Sequence, residues 1–139
     1  MNLLLDTNVI SESIKPHPNP GLMAWLSSVD EDRVYISVVT LAEIRYGVER
    51  LGPGTRRKRI EEWLQHDLLV RFEDRTLPID EQIADLAGRF IARSEAAGRP
   101  LEAMDAFLAA TAEAHRLTLV TRNQSDFEAI LHTTFNPWT

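Results

Sequence analysis

A single α/β domain, with a mainly parallel central sheet flanked by helices, is what this sequence of 139 residues predicts. Two observations carry the prediction. Short apolar runs without polar alternation, Leu3-Leu4-Leu5 and Leu117-Thr118-Leu119-Val120, suit strands buried on both faces. Segments of helical period separate the strand-like runs, and strands alternating with helices build parallel sheets covered on both sides. No repeat, low-complexity stretch or linker divides the chain, so residues 1–139 read as one domain.

The elements follow in order. Leu3–Leu5 is the first strand, stopped by Asp6, Thr7 and Asn8. Val9, Ile10 and Ile14 mark a short helix that ends before Pro16, Pro18 and Pro20. Leu22, Trp25, Leu26 and Val29 recur at helical spacing. Val34 to Val39 is rich in β-branched residues and reads as the second strand. Thr40 opens the next helix, with Leu41, Ile44, Val48 and Leu51 on one face and Gly52-Pro53-Gly54 closing it.

A further helix runs from about Thr55 to Leu69. Its apolar face, Ile60, Trp63 and Leu64, is either core or a groove for a partner. Leu77-Pro78-Ile79 is a short strand that proline confines to an edge. Asp80 caps a helix through Ile83, Leu86, Ala87, Phe90 and Ile91, ended by Gly98 and Pro100. Leu101 to about Arg116 is a helix with Leu101, Met104, Leu108 and Ala112 on one stripe. Leu117–Thr121 is the next strand, then a short helix around Phe127, Ile130 and Leu131, then an extended segment from His132 to Phe135.

Composition narrows the chemistry. The chain is 44% hydrophobic and 26% charged, as in ordinary globular domains. It has no cysteine, which excludes disulfides and thiolate chemistry, and its four histidines show no ligand pair at helical spacing. No apolar run reaches the length of a membrane span and no signal-peptide pattern opens the chain, so a cytoplasmic location is expected. A net charge of −6 argues against a surface that embraces nucleic acid as a whole, while leaving room for an acidic metal site beside a local basic strip.

Several carboxylates lack a local explanation. Asp6 ends the first strand, where open α/β sheets place ligands; it also stands where a helix cap would. Glu43 has a capping-box role open to it with Thr40, yet it follows the second strand at the same sheet edge. Asp105 has Leu101, Leu108 and Ala109 at helical spacing and Glu102 three residues before it, so no cation on its helix neutralises it. Thr121, Asn123 and Asp126 gather after the last strand of the run, where Asp126 is either a site residue or a helix cap. Carboxylates drawn together require protonation or a cation, and an oxygen-only set favours Mg²⁺ or Mn²⁺. Phosphodiester hydrolysis is the reaction such a set suits best. The basic run Arg56-Arg57-Lys58-Arg59 starts a helix, where the macrodipole disfavours positive charge. It is either a solvated face or a grip for RNA phosphates or an acidic partner.

Four segments in this order resemble the PIN domain: Leu5-Asp6-Thr7-Asn8, Thr40 to Gly47, Met104 to Ala112, and Val120 to Phe127. Their combination, with the closing Phe135-Asn136-Pro137-Trp138, is similar to VapC toxins of type II toxin–antitoxin modules, particularly the FitB-like branch. The resemblance implies a PIN-like fold and an endoribonuclease dependent on Mg²⁺ or Mn²⁺, as a single ion or a pair. It also implies inhibition by a VapB-like antitoxin, and homodimerisation. By position it implies that Asp6, Glu43 and Asp105 are metal ligands, that Thr7 or Asn8 supports the first, and that Thr121 orders ligands or water. Relatives can carry Asp where this chain has Asn123, which weakens a second metal site unless Asp126 compensates.

Two other readings compete. A non-catalytic PIN module that binds RNA or a protein partner is compatible with Asn123. A receiver-like or phosphatase-like domain phosphorylated on Asp6 fits poorly, because position 8 is Asn, which breaks an Asp-x-Asp motif, and Arg122, not lysine, follows Thr121.

Overall fold

The computed structural model describes residues 1–139 and places five parallel strands in the order β3-β2-β1-β4-β5. Strand β1 is Leu3–Leu5, β2 Val34–Ser37, β3 Thr76–Leu77, β4 Thr118–Val120 and β5 Thr134–Phe135. The helices are α1 (Thr7–Ser13), α2 (Pro20–Ser28), α3 (Val38–Glu49), α4 (Thr55–Trp63), α5 (Leu69–Arg71), α6 (Glu81–Ala96), α7 (Ala103–Ala114) and α8 (Gln124–Phe127). No helix is long and apolar enough to cross a membrane.

Alternation along the central strand explains the layering. Leu4 faces a core with Ile83, Phe90, Leu108 and Leu119 under α6 and α7. Leu3 and Leu5 face the opposite core, with Val9, Leu22, Ile36 and Val48 under α1 to α4. All three leucines are buried, so this strand has no solvent face to carry a polar residue. Burying each stabilises the fold by about 1.5–3 kcal/mol relative to exposure.

Most elements form where expected, with differences: α8 ends at Phe127, before Ile130 and Leu131, and β3 is Thr76–Leu77, short of Pro78 and Ile79. The second strand stops at Ser37, and α3 begins at Val38 instead of Thr40. Ser37 is the cap: its Oγ accepts from the Val39 N–H at 3.0 Å. The capping box expected of Thr40 and Glu43 does not form. Thr40 is fully buried within the helix, which leaves Glu43 free for another partner.

The helix expected over 55–69 reaches Arg71 through a wide turn at Leu64–Leu68, where the Leu69 N–H donates to the Leu64 carbonyl. That turn directs both Leu64 and Leu68 into the core. Asp80 caps α6 as expected, accepting from the Ile83 N–H at 2.9 Å. Gly98 leaves that helix with φ +73, the conformation glycine tolerates best. Helix α7 is shorter at both ends than the Leu101–Arg116 expectation. Met104 is 44% exposed and off the buried stripe, because Ala106, Ala109 and Ala110 pack inward beside Leu108 and Ala112.

Candidate active site

Parallel strands end at one edge of the sheet, and β1 lies between β2 and β4 at its centre. Residues just beyond those strand ends therefore meet outside the sheet, where open α/β folds place their ligands. Asp6 follows β1, Thr121 follows β4, and α3 leaves β2 carrying Glu43.

Asp6 is only 6% exposed, and its carboxylate is fully engaged. One oxygen accepts from the Thr7 N–H at 2.7 Å, which is the helix-capping role. The other accepts from Thr121 Oγ1 at 2.8 Å and from Asn8 Nδ2 at 3.3 Å. Asp6 thus caps α1 with one oxygen and meets Thr121 and Asn8 at the sheet edge with the other. Thr121, itself fully buried, accepts in turn from the Asn123 N–H at 3.0 Å and from Asn8 Nδ2 at 3.4 Å.

Glu43 is reached from the same short helix. The Thr7 hydroxyl donates to Glu43 Oε1 at 2.6 Å and lies 3.3 Å from the Thr40 hydroxyl. Thr7 therefore ties the first carboxylate's helix to the second carboxylate. Thr40 stands beside Thr7 as a buried hydroxyl and not as the cap, although Thr-x-x-Glu also spells a capping box.

Asp105 sits in the first turn of α7, half-buried. Its carboxyl is raised to about 6, first by burial and then by the charges of Asp6, Glu43, Asp126 and Glu102. Burial likewise raises Asp6, although its hydrogen bonds from Thr121 and Thr7 oppose the shift. A cleft of about 520 Å³, lined by Arg99, Pro100, Leu101, Glu102, Asp105 and Asp126, opens beside these groups. Arg99 and Glu102 were not singled out from sequence; the glycine–proline helix break beside them offered the only local signal.

Asp126 lies inside α8 and does not cap it. Asn123 holds the cap position, its exposed side chain making no hydrogen bond within the chain, while Asp126 faces the cleft. The acid that joins the group is consequently Asp126. No three carboxylates converge closely enough as placed to hold an ion, although their charges act on one another.

The α4 basic run is not a free strip throughout. Arg57 donates to Glu61 at 2.9 Å, Glu49 at 2.8 Å and the Leu51 carbonyl at 3.1 Å, which leaves Arg56, Lys58 and Arg59 exposed. A second cavity of about 660 Å³, largely apolar, runs between α1, α2 and the wide turn. Trp63 lines it, whereas Leu64 belongs to the core.

The PIN domain family model matches residues 3–130. This chain belongs to the PIN domain family. The PIN domain is 40% identical over 136 residues to Toxin FitB of Neisseria gonorrhoeae (strain ATCC 700825 / FA 1090), covering 98% of both chains. It is 34% identical over 136 residues to VapC ribonuclease Y4jK of Sinorhizobium fredii (strain NBRC 101917 / NGR234), covering 98% of this chain and 97% of that one. Among solved structures, FitAB bound to an IR36 DNA fragment matches it with a TM-score of 0.92 at 39% identity, over 99% of this chain and 96% of that chain. The match over residues 3–130 spans Asp6, Glu43, Asp105 and Thr121.

Proposed function

We propose that this PIN domain is the toxin of a type II toxin–antitoxin module, a metal-dependent endoribonuclease that hydrolyses RNA phosphodiesters. The observation that carries the reading is the Asp6 carboxylate, buried at the sheet edge and held by Thr121 and Asn8 with Glu43 and Asp105 nearby. A ribonuclease acting in the cytoplasm of the cell that makes it requires a neutralising partner, and a VapB-like antitoxin is the partner that the family resemblance implies.

The donor set suits a hard divalent cation. It offers only oxygen, and burial and mutual repulsion destabilise the anionic forms of Asp6 and Asp105, a cost that a cation relieves. Asp6, Glu43 and Asp105 would hold Mg²⁺ or Mn²⁺, with Asp126 as the further acid. Such an ion, when bound, polarises a phosphoryl oxygen and activates water.

The chain's own residues do the positioning. Thr121 and Asn8 hold one Asp6 oxygen while the Thr7 N–H holds the other, which orients this carboxylate at the sheet edge. Thr7 fixes Glu43 in the same manner. Asp105, raised to about 6 by burial and by the neighbouring charges, becomes anionic at neutral pH.

Purified, partner-free protein incubated with total RNA tests the reading. Discrete fragments with Mn²⁺, none with EDTA and none from Asp6→Asn are expected. A second reading, a PIN module that binds without cleaving, draws on Asn123 and on the unconverged carboxylates. Titration calorimetry separates the two: no Mn²⁺ uptake, even with RNA present, favours the binding module.

A further inference from the structure

We propose that Arg122 is the cation that grips a backbone phosphate of the RNA next to the acidic centre, presented for that purpose by Trp138. The inference rests on the ribonuclease reading and names a binding residue for it.

A polyanionic strand approaching a cluster of carboxylates on a chain of net charge −6 is repelled unless a free cation stands close by. Most arginines here are committed elsewhere. Arg33, Arg45, Arg57, Arg71, Arg75, Arg89 and Arg99 each make an ion pair. Of the unpaired cations, Arg122 alone follows the carboxyl end of a strand at the site edge.

Its root is anchored there. The Arg122 N–H donates to Asn8 Oδ1 at 3.4 Å, and the same Asn8 amide donates to Asp6 Oδ2 at 3.3 Å. One side chain therefore links the Arg122 backbone to the buried carboxylate. The guanidinium is exposed and lies over the Trp138 ring at 5.8 Å.

Glu12 is the acid within electrostatic range, but it is not the partner. Its Oε1 accepts from Lys15 Nζ at 2.9 Å and its Oε2 from the Asn19 N–H at 2.9 Å. Arg122 is left with an aromatic face beneath it and no anion against it. Trp138 packs on the core, so the platform is ordered without enclosing the charge. An arginine beside an aromatic ring is the combination that single-stranded RNA recognition uses. The basic run of α4 begins beside the far end of α3, whereas Arg122 directly follows Thr121.

The test measures binding apart from cleavage. Asp105→Asn protein is titrated against a short, labelled single-stranded RNA of mixed sequence by fluorescence anisotropy at several salt concentrations. Adding Arg122→Ala is expected to weaken binding on the order of tenfold and to lower the slope of log K against log salt by about 0.7. Arg122→Lys is expected to recover most of the slope, with thermal melting unchanged in both, which a structural role would not produce. Binding and slope unaltered by Arg122→Ala would overturn the inference and leave the ribonuclease reading intact. No RNA binding even with Arg122 in place would overturn both.

Discussion

Thr121 Oγ1 donates to Asp6 Oδ2 at 2.8 Å, joining residues 115 positions apart across the centre of the sheet. The bond exists because β1 and β4 are neighbours in parallel register, Leu5 beside Val120, so the residues after each strand emerge side by side. Both partners are buried, which makes the bond costly to lose.

Thr121→Val keeps the shape but removes the hydroxyl. Asp6 loses a donor that lowers its pKa, and the Asn123 N–H loses its acceptor. Urea unfolding is expected to show a loss of about 1–3 kcal/mol. Unchanged stability would mean that water replaces the hydroxyl without cost.

Thr7 is expected to act on Glu43 from behind. Thr7→Val removes the 2.6 Å bond, and Thr7→Ser keeps it. Calorimetry is expected to give Mn²⁺ affinity about 10–100-fold weaker for valine and near normal for serine. Equal affinities for valine and serine would remove Thr7 from the support of Glu43.

The pH dependence of stability has a defined sign. Asp105 ionises near 3.8 in an unstructured chain and at about 6 in the fold. Between those values the folded chain retains a proton that the unfolded chain has lost. Metal-free stability therefore falls as pH rises from about 4 to about 6 and is level above, insofar as this group governs it. After allowance for solvent screening of a half-buried group, the loss is about 1 kcal/mol. The difference between wild type and Asp105→Asn isolates the contribution, with the variant melting higher at pH 7 without metal. A difference that does not vary with pH would contradict the raised value.

Asp126 and Asn123 make opposite predictions. Asp126→Asn removes a charge that raises both Asp6 and Asp105, so the Asp105 titration is expected to move down toward the ordinary range in carboxyl-detected NMR. Mn²⁺ affinity is expected to fall with it. Asn123→Ala leaves the backbone bond to Thr121 in place and is expected to change neither quantity. The reverse ranking would assign the supporting role at the metal site to Asn123 and not to Asp126.

The sheet edge was readable from pattern because an unbroken apolar strand must stop where the chain turns polar. That places Asp6 and Thr121 at strand ends without coordinates. Asp105 was also legible, since an acid with no cation at helical spacing needs an answer from elsewhere. The capping residues were less so. Ser37 and Thr40 are both suitable caps three positions apart and both are fully buried; the choice depended on where strand pairing ends, at Ser37 opposite Leu77.

By itself, then, the sequence determined the alternation of strands and helices, the apolar central strand and the inventory of acids. Those follow from local periodicity and from the cost of an unpaired charge. Only the tertiary structure decided that Glu43 pairs with Thr7, that Asp126 faces the cleft where Asn123 does not, and that Arg122 lies over Trp138. Each of those outcomes compares partners that are distant along the chain, and local pattern carries no information about which distant group arrives first.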